Sequence, residues 1–174
     1  MKQNKSRIKP DFLRQLLIVL VVLFVSFTGS LFANDTGSLK KGDSLPDIKY
    51  TNASEEESPI PKTTSKVLFI ADMDASKILH PLLEEHGKGY LEKNNAVLVS
   101  DIHRMPFLIS KFVALPKMKS YPYTIRLVRE EKLADPYPRT KGFVTLIRLG
   151  EDGKVQSVSE SNSMEVIQKF IEER

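Results

Sequence analysis

A single α/β domain, with a central mixed sheet flanked by helices, is predicted by three features of this 174-residue chain. Two short, continuous apolar runs, 67–71 (VLFIA) and 96–99 (AVLV), have the length and composition of strands buried on both faces. Between them Ile78, Leu79, Leu82 and Leu83 recur at spacings of three and four, the stripe of an amphipathic helix. Two further apolar segments joined by the turn Glu151-Asp152-Gly153, then a last striped segment, complete an alternation of strand and helix.

The first 33 residues stand apart from that pattern. Lys2, Lys5, Arg7, Lys9 and Arg14 are set against Asp11 alone, and the ten residues 16–25 are all apolar, the profile of an export signal. Cleavage after Leu31-Phe32-Ala33 would release the domain. Retention would leave an anchor from Leu16 to Phe32, near the lower length limit of a spanning helix. The expected organisation is therefore a signal peptide or N-terminal membrane anchor over 1–33, a tether over 34–41 and one domain over 42–174. The location that follows is exported and periplasmic, with the inner membrane as the alternative if the anchor stays.

The leader also explains the formal charge of +4, because it holds five bases and one acid while the rest of the chain holds 21 of each. A neutral domain offers no electrostatic footprint for nucleic acid. Cysteine is absent, which suits an exported protein built without disulfides.

Along the domain, 51–65 carries Glu55, Glu56, Glu57 and two prolines and reads as a solvated loop. The helix that follows the first strand is expected to be capped by Asp74 or Ser76, and Pro81 lies inside it, where a proline costs about 3 kcal/mol in an ordinary helix. Residues 107–113 predict a short helix broken before Pro116, and 123–128 alternates as a strand. Residues 162–173 predict a closing helix capped by Asn162, with Val166, Ile167, Phe170 and Ile171 facing inward.

The segment 68–85, LFIADMDASKILHPLLEE, resembles the strand, active-site turn and first long helix of thioredoxin. Lys77, Pro81, Leu83 and Glu85 match that family's K-x-x-x-P-x-L-x-E pattern. Gly42, Pro46 and Ile48 resemble the entry of the peroxiredoxin-like branch, and Tyr121-Pro122 resembles the pair that leads into its extra strand. Taken with the hairpin Asp152-Gly153-Lys154-Val155, the chain is most similar to the exported YtfJ-type periplasmic thioredoxin-like family. The resemblance implies a thioredoxin-like sandwich over about 42–173.

It also implies that the redox chemistry is gone. The four dithiol positions fall on Met73, Asp74, Ala75 and Ser76, and only a thiolate attacks disulfides. Aligning Gly142 and Thr145 to the family's G-x-P-T puts Val144 where the substrate-facing cis-proline would stand. A cis bond before valine would cost about 2.5 to 4 kcal/mol, so a trans peptide is expected there. The expectation is a redox-inactive domain that is not an enzyme, needs no cofactor or metal and binds an unidentified envelope protein.

Two alternatives carry chemistry. Asp72, Asp74, Asp101 and His103 follow predicted strand ends, where ligand crevices form in such sheets, and would serve a metal- or acid/base-dependent enzyme. Against that, aspartates at a helix start ordinarily cap it. His80 and His86, six apart on one helix, lie on different faces and cannot ligate jointly. Separately, 104–148 holds ten bases and three acids, so Arg104, Lys117, Lys119, Arg126, Arg129, Arg139 and Lys141 form a candidate anion-binding set for a membrane-tethered protein touching anionic lipid. Scattered solvated bases are the plainer reading of the same set, since their spacing has no single period.

Overall fold

The computed structural model describes residues 38–173; the expected leader and residues 34–37 of the tether lie outside them. The described chain forms a five-stranded mixed sheet in the order β3-β2-β1-β4-β5. Strand β1 (Lys66–Ile70) is followed by helix α1 (Met73–His86), the short turn α2 (Tyr90–Lys93) and β2 (Ala96–Asp101). A composite helix α3 then runs over 107–120, followed by β3 (Ile125–Val128), α4 (Glu131–Ala134), β4 (Val144–Leu149), β5 (Val155–Ser161) and α5 (Met164–Glu172).

Every residue of β1 and β2 is buried, which is why 67–70 and 96–99 read as unbroken apolar runs, with the buried polar residues Lys66, Ser100 and Asp101 at the strand ends. Strand β1 pairs parallel to β2, with Leu68 opposite Leu98, and antiparallel to β4, with Leu68 opposite Leu146. Because side chains alternate along a strand, the sheet has two apolar faces. Leu68, Ile70, Leu98 and Leu146 meet Leu79, Leu82 and Leu83 of α1 and Ile167 and Ile171 of α5. Val67, Phe69, Val99 and Ile147 meet Leu39, Ile48, Tyr50 and Tyr137 on the other face. There the Tyr137 ring stacks on Phe69 at 4.4 Å and its hydroxyl lies 2.5 Å from that of Tyr50.

Several boundaries differ from expectation. Within the expected tether, Leu39 is buried and its N–H donates to the Pro136 carbonyl at 2.8 Å. Helix α1 is capped by Asp72, not by Asp74 or Ser76, because the extended backbone that a cap requires (φ −150°, ψ 169°) falls at Asp72. Helix α5 is capped by Ser163, whose hydroxyl accepts from the Val166 N–H at 3.4 Å, rather than by Asn162. Its inward face holds Ile167 and Ile171 with Phe170 half-buried, and Val166 is exposed.

The largest difference is α3, which does not break before Pro116. Its first turn, Phe107–Ile109, runs into a π-helical turn, Ser110–Ala114, and then into Leu115–Ser120. The Leu115 N–H donates to the Ser110 carbonyl five residues back. This wider turn relieves the clash that a proline ring makes with the preceding turn, so the helix continues through Pro116.

Candidate functional site

Loops at the carboxyl ends of β1 and β2 carry the residues singled out above. Ala71 and Asp72 turn the chain from β1 into α1, and Asp72 organises the start of that helix. Its Oδ1 accepts from the Asp74 N–H at 2.8 Å and the Ala75 N–H at 3.0 Å. Its Oδ2 accepts from the Gly142 N–H at 3.0 Å, in the loop before β4. Gly142 has φ +78°, a left-handed conformation that favours glycine. Burial pushes the Asp72 carboxyl up, but the N–H donors of Ala75, Gly142 and Asp74 and the nearby Lys141 charge outweigh it, so the group sits below the usual aspartate range.

The four dithiol-equivalent positions differ in what they present. Met73 is exposed, and its thioether neither ionises nor exchanges with disulfides. Asp74 pairs with Lys77 across one turn at 3.0 Å. Ala75 is buried, and the Ser76 hydroxyl donates back to the Asp72 carbonyl at 2.9 Å. Opposite them, Val144 opens β4 fully buried, and all described peptide bonds, including the one before it, are trans. The loop before β4 is held from its other side as well, since Thr140 donates through its N–H and hydroxyl to Glu160 at 2.8 and 2.6 Å.

A second cluster lies at the end of β2. Asp101 Oδ1 accepts from the His103 N–H at 3.0 Å and lies 2.6 Å from His103 Nδ1. The Arg104 Nε–H donates to His103 Nε2 at 3.2 Å, which assigns the ring proton to Nδ1. The other Asp101 oxygen accepts from Arg139 at 3.2 Å, and Arg139 also reaches Asp135 at 2.9 Å. Asp101 and His103 are thus brought together, but no hydrogen bond or ion pair joins them to Asp72 or Asp74. Among the described residues no three acidic or histidine side chains gather as a metal site.

The candidate anion-binding residues separate into three groups. Arg139 is engaged by two carboxylates, and Arg126 donates to the Pro59 carbonyl at 3.0 Å. Arg104 lies on His103, and Lys141 sits beside the Asp72 turn. Lys119 and Arg129 line a hollow beside α3, and Lys117 extends over the Tyr121 ring at 5.9 Å. His80 and His86 diverge as expected: His80 stacks on Tyr121 and bonds the Tyr123 hydroxyl at 2.9 Å, whereas His86 stacks on Tyr90.

The structure adds two placements that the sequence does not show. Asp72 is a helix cap, as an acidic residue ahead of a helical stripe suggests, but it also holds the loop before β4 through Gly142. Arg139, a member of the candidate anion-binding set, is the partner of a carboxylate 38 residues earlier, and nothing in the spacing points to that pairing.

This architecture is the thioredoxin-like sandwich, and comparison with solved structures agrees. The chain is similar to a protein described as the thiol:disulfide interchange protein DsbE of Chlorobium tepidum, at 17% identity and a TM-score of 0.52, covering 77% of this chain and 96% of that one. It is also similar to an uncharacterized conserved protein of Geobacillus kaustophilus, at 15% identity and a TM-score of 0.53, covering 79% and 85%. No protein-family model matches the chain, and no curated protein does. At such identities the likeness shows the fold alone. The protein is a cysteine-free member of the thioredoxin-like fold.

Proposed function

We propose that this chain is an exported, redox-inactive thioredoxin-like protein of the bacterial envelope that acts by binding a protein partner, in the manner of the YtfJ-type family it resembles. Export rests on the basic and apolar pattern of the first 33 residues. The redox reading rests on one observation at the head of α1. Thioredoxin chemistry needs a thiolate at a helix N-terminus, and here the donors of that terminus are taken by Asp72 while the Ser76 hydroxyl is turned back onto the backbone. The framework is kept and the exchangeable sulfur is not.

Insulin reduction with dithiothreitol as the electron source tests this reading. The purified protein is expected to precipitate insulin no faster than dithiothreitol alone. A rate clearly above that background would overturn it.

A further inference from the structure

The most apolar part of the described surface is concentrated on one helix. Five of the eight large apolar side chains that stand exposed belong to α3: Phe107, Leu108, Ile109, Phe112 and Val113, between 49% and 72% exposed. Only Ser110 and Leu115 of this helix are fully buried, five residues apart. The π turn aligns those two inward and leaves the aromatic and aliphatic side chains facing outward. Scattered exposed apolar residues are ordinary on a protein surface, whereas a contiguous group of this size marks a contact.

The same segment is basic throughout. Residues 104–120 contain Arg104, Lys111, Lys117 and Lys119 and no acid. Lys111 Nζ lies 5.6 Å from the Phe107 ring and 5.8 Å from that of Phe112, so a cation sits within the apolar group. Beside it opens a hollow of about 340 Å³ in which Lys111, Lys119 and Arg129 converge, with Glu55 as its single carboxylate, 3.7 Å from Arg129.

Three occupants differ in how they meet this pattern. A second copy of the chain would set these bases against themselves in a two-fold contact. A peptide needs a groove that takes its apolar side chains, and here Leu108, Ile109, Phe112 and Val113 project from the helix instead of lining one, while three bases stand around the apolar floor of the hollow beside them. An anionic bilayer satisfies both halves, since acyl chains accept the rings and phosphates accept the bases.

We propose that α3 docks the domain on an anionic phospholipid surface. Phe107, Leu108, Phe112 and Val113 enter the interfacial layer, and the hollow receives the phosphodiester of a headgroup on Lys111, Lys119 and Arg129. The proposal goes beyond the redox-inactive reading and stands apart from it, because the insulin assay reports on the α1 turn and not on this face.

The lack of native cysteine makes the test direct. A Val113→Cys variant of the full-length chain carries one environment-sensitive fluorophore, and an Asp152→Cys variant carries the same label in the β4–β5 turn as reference. Each is mixed with phosphatidylcholine vesicles made with or without phosphatidylglycerol. The label, rather than vesicle binding, is read because residues 16–32 could hold the full-length chain on either vesicle.

The expected result is a blue shift at position 113, absent at 152, that requires phosphatidylglycerol and is reversed by salt. Lys111→Gln with Lys119→Gln should lower the apparent partition roughly thirtyfold, as the loss of two surface bases implies. A label at 113 that stays water-like on both vesicles would overturn the proposal. So would an equal shift on both vesicles that the base substitutions leave unchanged. A shift that grows with protein concentration in the absence of lipid would assign the face to a second copy and overturn it equally.

Discussion

The turn at the head of α1 and the helix α3 follow the carboxyl ends of neighbouring parallel strands, yet they dispose their side chains in opposite ways. At the turn, polar groups are directed inward onto the backbone: one carboxylate serves three N–H groups and a hydroxyl closes back on the chain. At α3, the apolar groups are directed outward and two side chains alone are fully buried. The first arrangement stabilises the fold and offers a partner little. The second adds little to the fold and offers a partner a great deal. With no cysteine at the turn, the proposed contact surface lies on the second loop and not on the first.

The comparison is tested most severely at Asp72. In Asp72→Ala, the Asp74, Ala75 and Gly142 N–H groups lose their acceptor at once. An N-cap deletion costs about 1 kcal/mol and a further unmade hydrogen bond about as much again, so about 2 kcal/mol of stability should be lost. Urea unfolding of the variant measures it, and a loss below a few tenths would mean that the turn is not the structural device described. The acid limb has a matching sign. The folded carboxyl lies below its ordinary value of 3.8, so its contribution is complete above that pH and is lost as pH falls through the lower folded value.

His80, half-buried on α1 against Tyr121 and Tyr123, supplies a second, separable acid effect. Burial, with Lys117 as the lesser cause, lowers this imidazole from 6.5 to about 4, so the folded state holds it neutral where the unfolded chain would protonate it. Its ring is stacked on Tyr121 and its Nδ1 lies 2.9 Å from the Tyr123 hydroxyl. The depressed value means that stability is full above about pH 6.5 and falls as pH drops towards 4. Discounted for partial exposure, the loss over that window should be about 1.5 kcal/mol. His80→Phe should flatten the stability profile between pH 6.5 and 4 while leaving the Asp72 limb below it, a separation that urea titrations at several pH values resolve.

How much of this was legible beforehand follows from what each signal measures. Residues 67–70 and 96–99 read correctly as strands because burial on both faces leaves no polar residue in the run. The stripe of α1 was equally plain, and Leu79, Leu82 and Leu83 are its buried face. Caps were not, since Asp72, Asp74 and Ser76 are all good capping residues within five positions and only the backbone angles choose among them. The one-residue shift from Asn162 to Ser163 is of the same kind. At α3 the sequence signal was the proline, and the compensating i−5 hydrogen bond has no counterpart in a 3.6-residue period. For the site, Asp101 and His103 were near in sequence and proved near in space, whereas Arg139 came from a distant loop.

The smallest expected effect is the one that most sharpens the contrast. Phe107→Ser with Phe112→Ser removes two aromatic rings, a change that in a core would cost several kcal/mol. Both rings are more than two-thirds solvent-exposed, at 72% and 67%, so little apolar area is withdrawn from the folded state. Serine and phenylalanine have similar helix propensities, so the backbone of α3 gains or loses little by the exchange. The two contacts that disappear are those of Lys111 with the rings, at 5.6 and 5.8 Å, and exposed cation–ring contacts are worth less than about 1 kcal/mol each. Relief of the exposed apolar surface acts in the other direction. The double variant should therefore unfold within about 0.5 kcal/mol of the parent in urea. A loss of 2 kcal/mol or more, as large as that at Asp72, would show that α3 holds the fold together as the α1 turn does, and the division between a structural loop and an interaction face would fall.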